Sequence, residues 1–300
     1  MGLLCPRDDL AHVEAPPPPP PPPEAAAEPL TDTETGTENQ DTAAPGGGAP
    51  GPERALLIGI NYVSQEGELR GCVNDVLDVW RFMVARGVEC VILCDDDPDG
   101  GWPEGAPVQG EPTKEAIRRE MASLAAWTRW NPRARCWFHY SGHGGQTIDW
   151  DGDEEDGKDE CLFPVDYRAA GSLRDDEVAQ ILRHGLSQDA SLVAIVDACH
   201  SGSMFDFKHV YSAGATEACD ALPQHISISG CRDDQTSADA RFGERWGGAL
   251  TRALLPILQR GEARCGALRD ELHRALRHFE QRPEVRGSSS LGSHSVIPNL

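Results

Sequence analysis

Ser191-Leu-Val-Ala-Ile-Val-Asp-Ala-Cys-His-Ser-Gly202 is the stretch that decides how the chain is read. Leu192 to Val196 form an unbroken apolar and partly β-branched run, the pattern of a strand buried on both faces. The run ends in Asp197, Cys199, His200, Ser201 and the turn-forming Gly202. In open α/β sheets, chemistry collects outside the carboxyl ends of the strands. A thiol just past such an end is therefore a candidate nucleophile as well as a candidate buried cysteine.

Upstream of this strand, buried strands alternate with amphipathic helices. Ala55–Tyr62 is predicted as a strand, Asn74–Arg86 as a helix capped by Asn74, and Val88–Cys94 as a second strand. Thr113–Trp127 is a helix opened by a Thr cap, Arg133–Tyr140 a third strand ending at Ser141-Gly-His-Gly-Gly145, and Asp175–Leu186 another helix. Downstream, the chain is irregular until a strand at His225–Gly230. Periodic helices follow at Gly247–Arg260 and Glu262–Phe279, and Ser293–Ile297 supplies a last strand. This alternation predicts an α/β fold with a mostly parallel sheet covered on both faces.

Residues 1–53 are different. They hold an eight-proline run, Pro16–Pro23, and ten acids against one basic residue, Arg7. Such a segment cannot bury enough apolar surface to offset its ordering entropy, so it is predicted as a disordered, acidic, proline-rich arm with polyproline II character. The expected organisation is the arm (1–53), a large part (54–206), a connection (207–223) and a small part (224–300) completing the same sheet.

A net charge of -22 over 300 residues argues against nucleic acid as a partner and favours cationic ligands, whether Lys/Arg-bearing peptides or divalent metals. The ten cysteines include no CxxC pair, which is neither a zinc framework nor a compact disulfide scaffold. No apolar stretch reaches the roughly twenty residues of a membrane span. The N-terminus lacks the basic-then-apolar layout of a signal peptide, and Pro6 stands where acylation of Gly2 calls for Ser or Thr. The reading is a reducing, cytoplasmic compartment and no membrane partner.

Two predicted strand ends carry catalytic residue types, His143 and Cys199. Neighbouring parallel strands bring their carboxyl ends together, so these two can meet as base and thiol. A free thiol is only a few per cent thiolate near neutrality, and a nearby imidazole both promotes ionisation and later protonates a leaving amine. Glycine lets backbone amides approach a tetrahedral intermediate, which makes the N–H groups of Gly144 and Cys199 the oxyanion-hole candidates. His200 adjoins the thiol and competes as base, but adjacent residues at a strand end point in opposite directions.

The motifs Tyr-Ser-Gly-His-Gly-Gly and Asp-Ala-Cys-His-Ser-Gly, with Gly-Cys-Val-Asn-Asp upstream and Ser-Gly-Cys-Arg-Asp-Asp-Gln-Thr-Ser-Ala-Asp downstream, resemble those of type I metacaspases. The resemblance runs from about residue 55 to the C-terminus. It implies a caspase-like α/β/α sandwich and a dyad of Cys199 as nucleophile and His143 as base, cleaving after Arg or Lys. It further implies that Asp75, Ser141 and Asp197 line the pocket for the basic side chain. Two carboxylates would hold a guanidinium or ammonium and repel an acidic side chain.

The run Asp149–Glu160 is dense in acids that suit Ca²⁺, yet Glu154 occupies the position at which an EF-hand needs Gly. The resemblance instead implies a Ca²⁺ site at Asp159, Asp175, Asp176 and Asp206, whose filling orders the loops around Cys199. Arg54 and Lys208 are the self-cleavage candidates, and Cys72, near Asp75, is a candidate redox thiol. A monomer is implied. The alternative is a non-proteolytic caspase-like scaffold whose proline-rich arm recruits SH3- or WW-type partners. Intact Cys199, His143, Asp75 and Asp197 count against it.

Overall fold

A computed structural model describes residues 51–148, 158–199, 201–202, 204–205, 207, 209–210, 225–230, 239–261, 265–279 and 281–288. In chain order the elements are β1 (Glu53–Gly59), α1 (Cys72–Val84), β2 (Glu89–Cys94), β3 (Val108–Gly110), α2 (Lys114–Thr128) and β4 (Arg135–Ser141). There follow β5 (Gly144–Ile148), β6 (Lys158–Leu162), α3 (Tyr167–Ala170), β7 (Leu173–Arg174), α4 (Asp175–Val178) and β8 (Ser191–Asp197). The remaining ones are β9 (His209–Val210), β10 (His225–Ser229), β11 (Asp239–Phe242), β12 (Arg245–Gly248), α5 (Ala249–Gln259), α6 (Cys265–Ala275) and β13 (Glu284–Gly287).

Eight strands form one sheet in the order β3-β2-β1-β4-β8-β10-β13-β9. The first six run parallel, and β13 and β9 are antiparallel additions at one edge. Alternation along the central strands splits the core in two. Leu57, Trp137, Val193 and Ile195 face α1, α5 and α6, whereas Leu56, Phe138, Leu192 and Ala194 face α2 and the turn after α4. The caspase-like layering expected from the sequence is therefore present.

Several expectations are corrected. Asn74 does not cap α1: the helix starts after Gly71, and its free N–H groups at Cys72 and Val73 donate to Asn61 Oδ1 at 3.1 and 3.4 Å. Asn74 instead reaches the Trp246 carbonyl and Asp99, tying α1 to two loops. Thr113 caps α2 as its sequence predicts, accepting from Ala116 N at 3.2 Å. The helix predicted over Asp175–Leu186 turns α-helical for one turn and then widens, with His184 N–H bonding to the Ala179 carbonyl. The described strand nearest the C-terminus is β13, while Ser293–Ile297 lies outside the described residues. Within the predicted connection, His209 and Val210 form the edge strand β9.

Gly59 shows why the first crossover packs tightly. A Cβ there would lie 2.7 Å from the Cys72 carbonyl oxygen and 2.7 Å from Val76 Cγ2, so α1 rests directly on the β1 backbone. The Gly59→Ala variant is expected to lose about 1–3 kcal/mol through overpacking, measured by chemical denaturation.

Candidate active site

β4 and β8 pair in register with Ser141 opposite Asp197, and one more bond, Gly142 N–H to the Asp197 carbonyl at 3.3 Å, carries the pairing past the strand ends. His143 and Cys199 each lie two residues beyond that matched pair. Their segments touch: a Cβ on Gly144 would stand 2.1 Å from the Cys199 carbonyl oxygen and 3.1 Å from Ala198 Cβ. Only glycine permits this approach of the Gly144 backbone to the Cys199 carbonyl. His143 and Cys199 are both buried.

His143 is held on every side. Its N–H donates to Tyr62 Oη at 3.0 Å and its carbonyl accepts from Tyr140 Oη at 2.8 Å. The two phenols lie 3.1 Å apart, and Tyr62 Oη donates to the Phe163 carbonyl at 2.6 Å. Burial pushes both phenols above their ordinary range, so they stay protonated donors. The imidazole Nε2 is 2.6 Å from the Gly67 carbonyl oxygen. A carbonyl only accepts, so Nε2 carries the proton and Nδ1 is left as the basic nitrogen. Gly67 itself has φ +81°.

Tyr62 sits at φ +54°, a left-handed conformation that costs a side-chain-bearing residue about 1 kcal/mol or more. It is fixed by Asp95 at the end of β2, whose carboxylate accepts from Asn61 N at 2.8 Å and Tyr62 N at 2.6 Å. Three strand ends thus converge on one histidine. Tyr62→Phe leaves a buried N–H without its acceptor, and about 1–3 kcal/mol of stability is expected to be lost. Peptidase turnover should fall about tenfold with KM within about twofold, because Asp75, Ser141 and Asp197 are untouched; steady-state kinetics checks this split.

Asp75, Ser141 and Asp197 come together at the head of α1 and the ends of β4 and β8, all buried. Asp75 accepts from Ser141 Oγ at 2.8 Å and from Gly248 N at 2.9 and 2.8 Å. Asp197 Oδ2 accepts from Thr251 N at 2.9 Å and from Thr251 Oγ1 at 3.0 Å. A Cβ on Gly248 would lie 2.2 Å from Asp197 Oδ2 and 2.6 Å from Asp75 Oδ2, so the two carboxylates flank a single glycine. Burial first, and the neighbouring Asp197 second, hold the Asp75 carboxyl well above the usual range. Gly248 and Thr251 were not singled out in the sequence, and a further carboxylate, Asp239, stood only as the last residue of the Ser229–Asp239 motif, with no role assigned. Asp239 accepts from Arg70 N at 2.8 Å and raises both Asp75 and Cys72.

Behind Thr251, His139 Nε2 lies 3.4 Å from its Oγ1, and burial drives the imidazole down to about 3. The folded-state value is below the unfolded one, so this group's stability is complete above about pH 6.5 and is lost as pH falls toward 3. Between pH 6.5 and 5 the wild type should lose about 2 kcal/mol more than His139→Gln, read from denaturation curves at each pH.

A metacaspase peptidase C14 domain family model matches residues 53–208. The chain belongs to the metacaspase family. Metacaspase-1B of Neurospora crassa is 33% identical, over 82% of this chain and 69% of that protein. Metacaspase-1 of Sclerotinia sclerotiorum is 34% identical, over 83% of this chain and 68% of its own length. A crystal structure of a Geobacter sulfurreducens protein shares the fold at TM-score 0.58 and 21% identity, covering 83% of this chain and 99% of that one. Membership makes this metacaspase a cysteine peptidase.

In this metacaspase Asp159, Asp175 and Asp176 present carboxylate oxygens within 4.8 Å of one another, the first two buried. Asp159 stands on β6, Asp175 and Asp176 in the first turn of α4. Arg174 bridges Asp159 at 3.0 Å and Asp176 at 3.6 Å, and burial raises Asp175 to about 8. Hard carboxylate donors crowded this closely fit Ca²⁺. Asp206, His200, Lys208 and residues 149–157 lie outside the described residues.

Arg54, expected at a reachable boundary, is instead inside β1. It pairs in register with Glu89 and Cys136 on either side, its guanidinium 3.0 Å from Glu89 and over the Trp127 ring. A bond locked into a central ladder is closed to a peptidase, so Arg54 is withdrawn as a self-cleavage site. Cys72 is buried against the pocket, and burial with Asp239 and Asp75 pushes its thiol well up, so it is held as a thiol. Among the described residues, no helix is long and apolar enough to cross a membrane.

Proposed function

We propose that this metacaspase is a Ca²⁺-dependent cysteine endopeptidase cleaving after Arg or Lys. The observation that carries the specificity is the pair of buried carboxylates, Asp75 and Asp197, flanking Gly248. Two buried acids so placed cannot both be charged without a cation. A substrate guanidinium or ammonium supplies one, and is rewarded by charge-assisted hydrogen bonds.

With the basic side chain held there, His143 Nδ1 takes the Cys199 proton and the thiolate attacks the scissile carbonyl carbon. The oxyanion is received by the N–H groups of Gly144 and Cys199. Collapse breaks the C–N bond, and His143 returns its proton to the leaving amine. Water then attacks the thioester, His143 accepting its proton, and the Cys199 thiol and carboxylate product are released.

Asp159, Asp175 and Asp176, with Asp206 as a further candidate, would hold Ca²⁺, which supplies divalent charge that neutralises this acidic cluster. The β5–β6 hairpin carrying Asp159 begins at Gly144, so order in the cluster reaches the oxyanion segment through two paired strands. Lys208 remains the self-cleavage candidate, and the Pro16–Pro23 run is a ligand for SH3- or WW-type partners. Turnover of Arg- and Lys-ended fluorogenic peptides that rises at least tenfold with millimolar Ca²⁺, and falls to the calcium-free level in Asp175→Asn, is the expected result. Equal rates with and without Ca²⁺ would remove the metal role.

A further inference from the structure

Between α1 and α5 lies a cleft of about 550 Å³ that begins at Asp78 and Arg252, one turn past Asp75 and next to Thr251, and runs to Arg86 and Gln259. Arg81, Phe82 and Arg86 line it from the α1 side, and Arg252, Leu255 and Pro256 from α5. In a chain of net charge -22, three guanidiniums around one cleft stand out. Its one acid, Asp78, is already engaged: Arg245 Nη1 reaches both its oxygens at 2.7 and 2.8 Å, while Arg81 is 3.8 Å away. Arg86 Nε and Nη1 are buried and have no hydrogen-bond partner among the described residues. Phe82 and Phe242 lie under the Arg86 and Arg252 guanidiniums at 5.2 and 5.1 Å, leaving apolar surface beside the charge. The cleft therefore asks for a ligand with carboxylates and some aliphatic surface.

We infer that the occupant of this arginine cleft is the acidic segment 28–41 of the same chain. Charge is the first argument: that segment carries Glu28, Asp32, Glu34, Glu38 and Asp41, no Lys or Arg, and a Pro29-Leu30 pair to meet the apolar wall. Tethering is the second. The arm joins the fold at Glu53, next to Arg54, which pairs with Glu89 three residues beyond Arg86, so the junction stands beside the Arg86 end of the cleft. The eleven residue steps from Asp41 to Pro52 reach at most about 40 Å, ample for the path. A short tether also raises the local concentration of the acids to the millimolar range, so weak ion pairs suffice. The cleft runs along α1 from Asp78, about 5 Å from Asp75, to Arg86, about 16 Å from it, so the segment docks beside the proposed basic-residue pocket rather than in it. This inference does not depend on peptidase specificity.

The test is zero-length carbodiimide coupling in the full chain carrying Arg81→Lys or Arg252→Lys, each of which keeps the positive charge. The natural chain has lysine only at 114, 158 and 208, so the background is small. Peptide mapping is expected to find amide links from the introduced lysines to acids within 28–41. A mixture of light and ¹⁵N-labelled chains should show these links to be intramolecular, and 0.5 M salt should lower their yield at least fivefold. Arg118→Lys, on α2 across the sheet, should give less than a tenth of that yield. Absence of arm links at both positions in folded protein, links mainly between two chains, or an equal yield from position 118 would each overturn the inference.

Discussion

Asp197→Asn is expected to lower kcat/KM for Arg-ended peptides by about 10²–10³, equivalent to about 3–4 kcal/mol, the cost of leaving a buried cation with half of its counter-charge. The folded state should not suffer in proportion. Without a cation, Asp75 and Asp197 oppose each other's ionisation, so a neutral amide that still accepts from Thr251 N and Oγ1 relieves that repulsion. A variant that melts at or above the wild-type temperature and has lost Arg turnover would separate specificity from folding. Parallel loss of both would mean that Asp197 is chiefly structural. Asp75 should behave similarly but less cleanly, because it also anchors Ser141 and Gly248.

Gly144→Ala carries the second large effect. The added Cβ would meet the Cys199 carbonyl oxygen at 2.1 Å, about 1 Å inside normal contact, and the obstacle is backbone that cannot swing aside. The β4 and β8 extensions must part, moving one oxyanion donor and His143 away from the thiol. A lost oxyanion donor costs about 10²–10³ in kcat, and a misplacement of 1 Å costs about 10². The expected fall is therefore about 10³ or more in kcat, with a stability loss of only about 1–3 kcal/mol. Near-normal kcat in a folded variant would show that Gly144 is not beside the reacting centre.

The adjacency of β4 and β8 was legible because both are continuous apolar runs ending in glycine-flanked polar residues, a pattern that physical rules read locally. The pocket was legible only in part. Asp75, Ser141 and Asp197 were marked by resemblance, but Gly248 and Thr251 come from the head of α5, and nothing local to Trp246-Gly-Gly-Ala249 says which carboxylates will flank it. The Trp246-Gly-Gly248 step before an amphipathic helix was the available signal, since glycine ahead of a helix often marks close approach. The clamp on His143 was not legible at all. Its partners include the Gly67 carbonyl and the Phe163 N–H, backbone groups that nearly every residue carries, and two phenols, Tyr62 past the end of β1 and Tyr140 on β4.

Two misreadings share one cause. Asn74 satisfies the local rule for a cap, yet Asn61 reaches across from the end of β1 and takes that role, releasing Asn74 to bind Trp246 and Asp99. Arg54 looked like a linker residue because it follows the proline- and glycine-rich arm, but Pro52 already enters the sheet by accepting from Arg135 N at 2.9 Å. In each case a tertiary partner distant in sequence decided the outcome.

The most direct test of the account is covalent trapping of the nucleophile. The chain is treated with two peptidyl fluoromethylketones, identical except for Arg or Asp at the residue before the warhead, and the modified cysteine is mapped by mass spectrometry. Alkylation is expected at Cys199 by the Arg reagent, at least about 10²-fold faster than by the Asp reagent, with that preference lost in Asp197→Asn. Equal labelling by both reagents, or labelling chiefly at Cys72, would contradict it.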